Sequence, residues 1–295
     1  MKMKVGFIGL GIMGKPMSKN LIKAGYELVV LDTSKNGSEL AAAGAKTAST
    51  AKALAEQVDV IITMLPNSPQ VNEVVLGPNG VIEGAKLGTV VIDMSSIAPL
   101  TSQEIARKLA EKGIEMLDAP VSGGEPKAIE GTLSVMVGGK KEVFEQCYDV
   151  LKAMAASVIR TGDIGAGNVT KLANQIVVAI NIAAMSEAFV LASKVGVQPE
   201  LVYQAIRGGL AGSNVLDAKA PLVMDRNFDP GFRINLHIKD LSNVLETSHE
   251  VGVPLPLTAA VMEMMQALKV DGMGDCDHGS LIRYYEKMAK VEVNR

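Results

Sequence analysis

Short apolar runs alternate with amphipathic segments through the first half of the 295-residue chain. The apolar runs are rich in β-branched residues and predict strands at 5–8, 28–31, 60–64, 90–93, 116–119, 134–137 and 158–161. The segments between them have helical spacing, at 15–24, 38–43, 51–57, 68–75, 99–112 and 141–154. Strands that alternate with helices predict a mainly parallel sheet with helices on both faces.

The pattern changes after Gly162, where a glycine-rich connection leads into an apolar helical segment at 168–194. More helices are predicted at 199–207, 215–224, 238–251, 256–268 and 280–289, each set off by Gly, Pro, Asp or Asn. The chain is therefore predicted to be α/β, with a doubly wound domain at 1–162 and an all-α domain at 163–295, joined by a long helix.

Composition narrows the class of protein. Hydrophobic residues make up 48% of the chain and aromatic residues 3%, so branched aliphatic residues and 16 Met must build the core. The net charge of −3 comes without a basic stretch, which argues against nucleic-acid binding. The chain starts without the pattern of a signal peptide, and polar residues interrupt the apolar stretch at 176–195, which argues against a membrane span. We therefore expect a cytoplasmic globular protein.

A glycine-rich motif directly follows the first predicted strand. It has the form G-x-G-x-x-G and consists of Gly9, Leu10, Gly11, Ile12, Met13 and Gly14. The first glycine allows a tight turn, the second lets backbone amides approach a pyrophosphate, and the third lets the next helix pack closely. A strand before this motif and a helix after it favour a dinucleotide site over an ordinary glycine turn.

Residues at the ends of other predicted strands support this interpretation. Asp32 follows the second strand, where an acid accepts hydrogen bonds from both adenosine ribose hydroxyls and repels a 2′-phosphate. NAD(H) is therefore preferred over NADP(H), which remains possible. Further cofactor contacts are expected where open α/β sheets bind ligands, at Leu65, Pro66, Ser95 and Ser96. The same Ser residues would equally suit simple turn or capping roles.

Two later segments carry candidate chemistry. Ser122, Gly123 and Gly124 offer a hydroxyl and uncovered amides that suit a carboxylate, although a flexible turn would look the same. Lys171, Asn174 and Gln175 fall on one helical face, as a polar island in an apolar helix, although a solvated face near the helix start would look the same. An ammonium there could stabilise and protonate the oxygen left by hydride transfer to an aldehyde.

Other chemistry has weaker support. The three His residues are scattered, and 276–278 lacks zinc-site spacing, so no metal is predicted. The two Cys residues imply no disulfide framework. Lys239 either reaches a cofactor or is a surface charge.

The motifs together resemble the β-hydroxyacid dehydrogenase family. The resemblance rests on the segments at 7–21, 118–124, 167–175 and 239–240, and it spans nearly the whole chain. It implies a Rossmann domain joined by a long helix to a helical domain that drives homo-oligomerisation as a dimer or tetramer. Many members have two Asn residues where this chain has Asn174 and Gln175, so the resemblance implies no role for Gln175.

The resemblance also implies roles for residues. Lys171 would be the general acid, Ser122, Gly123 and Gly124 would hold the substrate carboxylate with help from Asn174, and Lys239 would lie beside the nicotinamide. The expected reaction reduces tartronate semialdehyde (2-hydroxy-3-oxopropanoate) to D-glycerate. The alternatives are 3-hydroxyisobutyrate oxidation, reduction of succinic or glyoxylic semialdehyde, and a non-catalytic NAD-binding regulator.

Overall fold

The computed structural model describes residues 2–31 and 35–295. Its contacts divide the chain into two compact units, Met1–Lys171 and Leu172–Arg295. The predicted domain boundary after Gly162 stays a prediction, since this division falls inside a helix that begins at Ala166.

The first unit is built on one sheet. Its strands among the described residues are β1 (Val5–Ile8), β2 (Leu28–Leu31), β3 (Lys46–Ala48), β4 (Val60–Thr63), β5 (Val90–Asp93), β6 (Glu115–Asp118), β7 (Val121–Ser122), β8 (Leu133–Gly138) and β9 (Ala155–Gly162). Their order is β3-β2-β1-β4-β5-β6-β8-β7, with β9 beside β8. The six neighbouring strands β3, β2, β1, β4, β5 and β6 pair in parallel, and β8 is antiparallel to β6.

The helices of the first unit cover both faces of this sheet. They are α1 (Gly14–Lys23), α2 (Lys35–Ala42), α3 (Ala51–Ala55), α4 (Ser68–Leu76), α5 (Val81–Gly84), α6 (Pro99–Ala110), α7 (Gly124–Glu130) and α8 (Lys141–Lys152). Alternate residues of a strand enter opposite cores, as the period of two requires. Val60 and Ile62 belong to the core that contains Leu21 of α1, whereas Ile61 belongs to the core that contains Leu54 of α3.

The regular elements among the described residues of the second unit are all helices. The long helix α9 (Ala166–Lys194) enters it from the first unit, and α10 (Pro199–Ile206), α11 (Asn214–Met224), α12 (Ile234–Glu250), α13 (Pro256–Leu268) and α14 (Ile282–Ala289) follow. Short π-helical and 3₁₀ turns occupy Lys269–Met273 and His278–Leu281. Phe189, Leu241, Met265 and Ile282 are among the buried residues of one continuous core.

The predicted α/β class, with a mainly parallel Rossmann-type sheet followed by a helical domain, is confirmed. Two short strands, β3 and β7, were not expected. Lys46 and Thr47 of β3 are exposed at the sheet edge, so this strand lacks the apolar pattern on which the prediction depends. The helix α12 begins at Ile234, four residues before the predicted start, and Lys239 therefore lies in its second turn.

One helix among the described residues, α9, is long and apolar enough to cross a bilayer, with a mean hydropathy of 1.9 in its most apolar window. The protein buries 39% of that window. The core helix of a soluble protein can be equally long and apolar.

Candidate active site

The glycine motif forms the turn between β1 and α1. Gly9 has a φ of 100°, in the region that favours glycine. A Cβ at Gly14, where α1 begins, would overlap the carbonyl oxygen of Gly9. A Cβ at Gly11 would meet no atom of residues 2–31 and 35–295 within 4 Å. The turn thus combines close helix packing with open backbone at Gly11, which fits the pyrophosphate of a dinucleotide.

The strand ends beside this turn come together at one edge of the sheet. Because β1, β4 and β5 are parallel neighbours, their carboxyl ends place Leu65 and Ser95 near the glycine turn. The Leu65 N–H donates to Ser95 Oγ at 2.9 Å, and the Ser95 N–H donates to Asp93 Oδ1 at 3.1 Å. The buried Ser95 hydroxyl therefore joins the two loops. Pro66 is exposed and Ser96 is half-buried.

The cofactor-binding roles of these edge residues stay predictions. Within the glycine turn, Leu10 is buried and Ile12 is 60% exposed. Asp32, the residue on which the expected preference for NAD(H) depends, lies outside the described residues.

The predicted carboxylate-binding loop connects β7 to α7. Ser122 is half-buried and pairs with Ser134 of β8. Gly123 and Gly124 have φ values of 138° and 69°, which disfavour any other residue. The glycines therefore allow a backbone path after Ser122 that other residues would not adopt.

Lys171 lies near the start of α9 and is only 7% exposed. The start of this helix contacts the ends of two strands. Asp118 at the end of β6 accepts the N–H groups of Gly165 and Asn168, both at 2.7 Å. The fold thus fixes the helix that carries the lysine to the carboxyl edge of the sheet.

Burial has a clear electrostatic effect on Asp118. Desolvation raises its pKa to about 6, although the two backbone N–H donors lower it, and the charge of Asp93 raises it further. The sequence analysis assigned no role to Asp118 because its partners lie 47 and 50 positions away. The available signal was an acidic residue at the end of an apolar strand.

The second unit contains a polar chain that begins one turn after Lys171. The Asn174 Nδ2 donates to Gln175 Oε1 at 2.8 Å, and Gln175 Nε2 donates to Asp240 Oδ2 at 2.5 Å. Lys239 Nζ lies 2.8 Å from Asp240 Oδ1. A carboxylate only accepts hydrogen bonds, so Asp240 orients the Gln175 amide, which then accepts from Asn174. Gln175 therefore has a defined structural partner, which the sequence did not indicate.

We expect Gln175→Asn to lower the free energy of unfolding by about 1–2 kcal/mol. The shorter side chain cannot reach both Asn174 and Asp240, so one buried hydrogen bond is lost. Urea unfolding measures this change. Gln204→Asn, on an exposed helix face, is the matched control and should change stability by less than about 0.5 kcal/mol. Equal stabilities of the two variants would contradict a stabilising role for the hydrogen bonds of Gln175.

Asp277, near the C-terminus, is the acceptor of several hydrogen bonds. Asp277 is buried and accepts hydrogen bonds from Lys219 Nζ at 2.9 Å and from the backbone N–H groups of Gly231, Phe232 and Gly279. The described residues contain no group of three or more His, Cys, Asp or Glu side chains suited to a metal.

Comparisons with known proteins match both parts of the chain. Residues 4–162 match the model of the NAD binding domain of 6-phosphogluconate dehydrogenase. Residues 165–285 match the model described as NAD-binding of NADP-dependent 3-hydroxyisobutyrate dehydrogenase.

Individual relatives match over nearly their full length. The chain is 43% identical to 2-hydroxy-3-oxopropionate reductase of Escherichia coli (strain K12), covering 97% of this chain and 98% of the relative. It is 39% identical to 2-(hydroxymethyl)glutarate dehydrogenase of Eubacterium barkeri, covering 99% and 97%. The structure of Mycobacterium tuberculosis 3-hydroxyisobutyrate dehydrogenase with L-serine superposes with a TM-score of 0.90 at 31% identity, covering 97% and 99% of the two chains.

Proposed function

Because the chain belongs to the family of NAD(P)-dependent β-hydroxyacid dehydrogenases, we propose that it reduces tartronate semialdehyde to D-glycerate. The observation that carries the reaction type is the buried Lys171 on a helix fixed to the sheet edge that also carries the glycine turn. The choice of substrate is supported by the 43% identity to 2-hydroxy-3-oxopropionate reductase. The second candidate substrate is 3-hydroxyisobutyrate, which is favoured by the TM-score of 0.90 between this structure and that of 3-hydroxyisobutyrate dehydrogenase.

Each group of residues has a task in this reaction. The turn at residues 9–14 would hold the pyrophosphate of a nicotinamide cofactor, which supplies a hydride when bound. The Ser122 hydroxyl and the amides of Gly123 and Gly124 would bind the substrate carboxylate and orient the aldehyde. Lys171 would stabilise negative charge on the carbonyl oxygen and give it a proton from Nζ, so that an O–H bond forms as an N–H bond breaks. Microscopic reversibility makes neutral Lys171 the base in the oxidation of the product.

Three further features belong to the proposal. NADH is the preferred cofactor, on the strength of Asp32 at the end of the second strand. The protein works in the cytoplasm. It forms a homo-oligomer, dimer or tetramer, which is supported by exposed apolar side chains such as Leu191, Leu210 and Leu257 in the second unit.

A panel of aldehydes tests the substrate. Purified protein is assayed for NADH oxidation with tartronate, methylmalonate and succinic semialdehydes and with glyoxylate. We expect kcat/KM for tartronate semialdehyde to exceed the others by about tenfold or more, because a pocket matched to the hydroxyl of this substrate would reject analogues that lack it. Chiral chromatography should identify the product as D-glycerate. A preference for methylmalonate semialdehyde would overturn the substrate and retain the reaction type, and no oxidation with any aldehyde would contradict the proposed function.

A further inference from the structure

The carboxylate of Asp118 has no part in the proposed reaction steps, yet it occupies a special position. It ends β6, is fully buried, and divides its two oxygens between two amides at the start of α9. Oδ1 accepts the N–H of Gly165 and Oδ2 accepts the N–H of Asn168. These amides belong to the turn that would otherwise be left without acceptors at a helix start. A side chain from a distant strand therefore caps the helix that carries Lys171.

The backbone leaves almost no room for this helix start to move. A Cβ at Gly167 would overlap the carbonyl oxygens of Asp118 and Met136, and a Cβ at Gly138 would overlap Asp118 Oδ1. The first turn of α9 is therefore in direct contact with the ends of β6 and β8. Loss of the Asp118 bonds would leave two amides without acceptors, and any shift that gives them new acceptors must also move this close contact.

A second attachment fixes the same turn in another direction. Asn168 Oδ1 accepts the N–H of Ile97 at 3.1 Å, and its Nδ2 donates to Ser102 Oγ at 3.1 Å. Ile97 follows β5 and Ser102 lies in α6, so Asn168 ties the helix start to the loop after a neighbouring strand. Lys171 comes three residues after Asn168, on the next turn of the same helix.

We propose that Asp118 is a positioning residue for the reaction, which fixes the start of α9 and thereby places Lys171 relative to the loop at 122–124. This inference rests on the proposed function for the role of Lys171. Asp118 precedes Ser122 by only four residues. One short segment thus holds both the proposed carboxylate-binding loop and the anchor of the proton donor. A displacement of about 1 Å at a reacting group can cost about a hundredfold in rate.

Protonation of Asp118 should weaken this anchor without unfolding the protein. The native pKa of about 6 lies above the ordinary value of 3.8, so the folded state takes up the proton more readily than the unfolded chain. This raised pKa contributes stability that is present below 3.8 and is lost as the pH rises through about 6. A neutral carboxyl, however, presents one hydroxyl where two N–H donors need acceptors. The hydrogen bonds of Asp118 with Gly165 and Asn168 should therefore be weakest below pH about 6, where the protein stays folded.

Several charged groups lie on the elements around Asp118. Asp93 lies on β5 and Lys171 on α9, and the ion pair of Arg160 with Asp163 lies at the end of β9. The charged side chains of α6 that form ion pairs, such as Arg107, are exposed. The Asp163 side chain is 91% exposed, so it offers a matched acidic control close in the chain to the same helix start.

The test compares Asp118→Asn with Asp163→Asn. Asparagine keeps the shape of Asp118 but turns one amide-facing oxygen into an NH2 donor. We expect kcat to fall by about ten- to a hundredfold, with unchanged affinity for NADH. The wild-type kcat should also fall below pH about 6, and this acid limb should disappear in Asp118→Asn because asparagine does not titrate. Asp163→Asn should keep the wild-type kcat and the acid limb.

Hydrogen exchange provides a readout that needs no activity. In wild-type protein, the Gly165 and Asn168 amides should exchange faster a unit below the Asp118 pKa of about 6 than a unit above it, relative to their intrinsic rates. This measurement tests whether Asp118 fixes the start of α9 even if Asp118→Asn fails to fold. Unchanged exchange, or a wild-type acid limb that persists in Asp118→Asn, would overturn the inference. If no aldehyde is reduced while exchange responds as expected, the proposed function fails and the anchor stands as a structural feature only.

Discussion

Replacing Lys171 with alanine is expected to lower kcat by about a thousandfold while the affinity for NADH stays unchanged. The reason is that the proposed mechanism gives the ammonium two tasks, to stabilise the developing alkoxide and then to protonate it, and both would be lost. The glycine turn that would bind the cofactor pyrophosphate is formed by other residues, at 9–14. Single-turnover reduction of tartronate semialdehyde measures the effect on chemistry, and quenching of NADH fluorescence measures cofactor binding.

Two further variants separate proton donation from charge. Lys171→Arg keeps a positive charge but gives up a proton very poorly, because the pKa of a guanidinium is above about 12. It should therefore recover only a small part of the lost kcat. Lys112→Ala removes an exposed lysine of the first unit and should behave as wild type. Full activity in Lys171→Ala would assign the proton donor to another group, and full activity in Lys171→Arg would show that charge alone suffices.

Local sequence patterns predicted those parts of the fold that local interactions determine. The bounds of β1, β2 and β5 agree with prediction because each strand is a compact apolar run with a distinct end. The start of α9 was placed two residues late, at Asn168 instead of Ala166. Its first amides are capped by Asp118, which lies about fifty residues earlier in the chain and gives no local signal.

The same distinction applies to the candidate site. The glycine turn is recognisable because the proposed pyrophosphate contact depends on consecutive backbone positions, and the motif lies between β1 and α1. Gln175 looked like a departure from the family pattern without a role, but its partner Asp240 lies 65 residues away. A hydrogen bond of this kind depends on tertiary packing, so no spacing rule in one sequence could have found it. The same holds for Asn168 and its contact with Ile97, across 71 residues.

Alanine substitutions at two glycines of this turn should differ in their effect on the stability of the cofactor-free protein. Gly14→Ala is expected to lower the free energy of unfolding by about 2–3 kcal/mol. Its Cβ would overlap the Gly9 carbonyl oxygen and lie 3.0 Å from Phe7 Cε1, so the helix must shift away from β1. Binding of NADH should be lost with the geometry of the turn. Urea unfolding of the cofactor-free protein measures the stability change.

Gly11→Ala should leave the cofactor-free fold within about 0.5 kcal/mol of wild type, since its Cβ would meet no described atom within 4 Å. The added methyl would instead occupy the space through which the pyrophosphate approaches the backbone. We expect the Kd for NADH to rise about tenfold or more, which corresponds to about 1.4 kcal/mol. A normal Kd in Gly11→Ala would show that the pyrophosphate does not lie against this turn. Equal losses in the free energy of unfolding for both substitutions would show that both glycines are needed for the fold. The effect of Gly11→Ala on NADH binding could then not be assigned to the open backbone at Gly11.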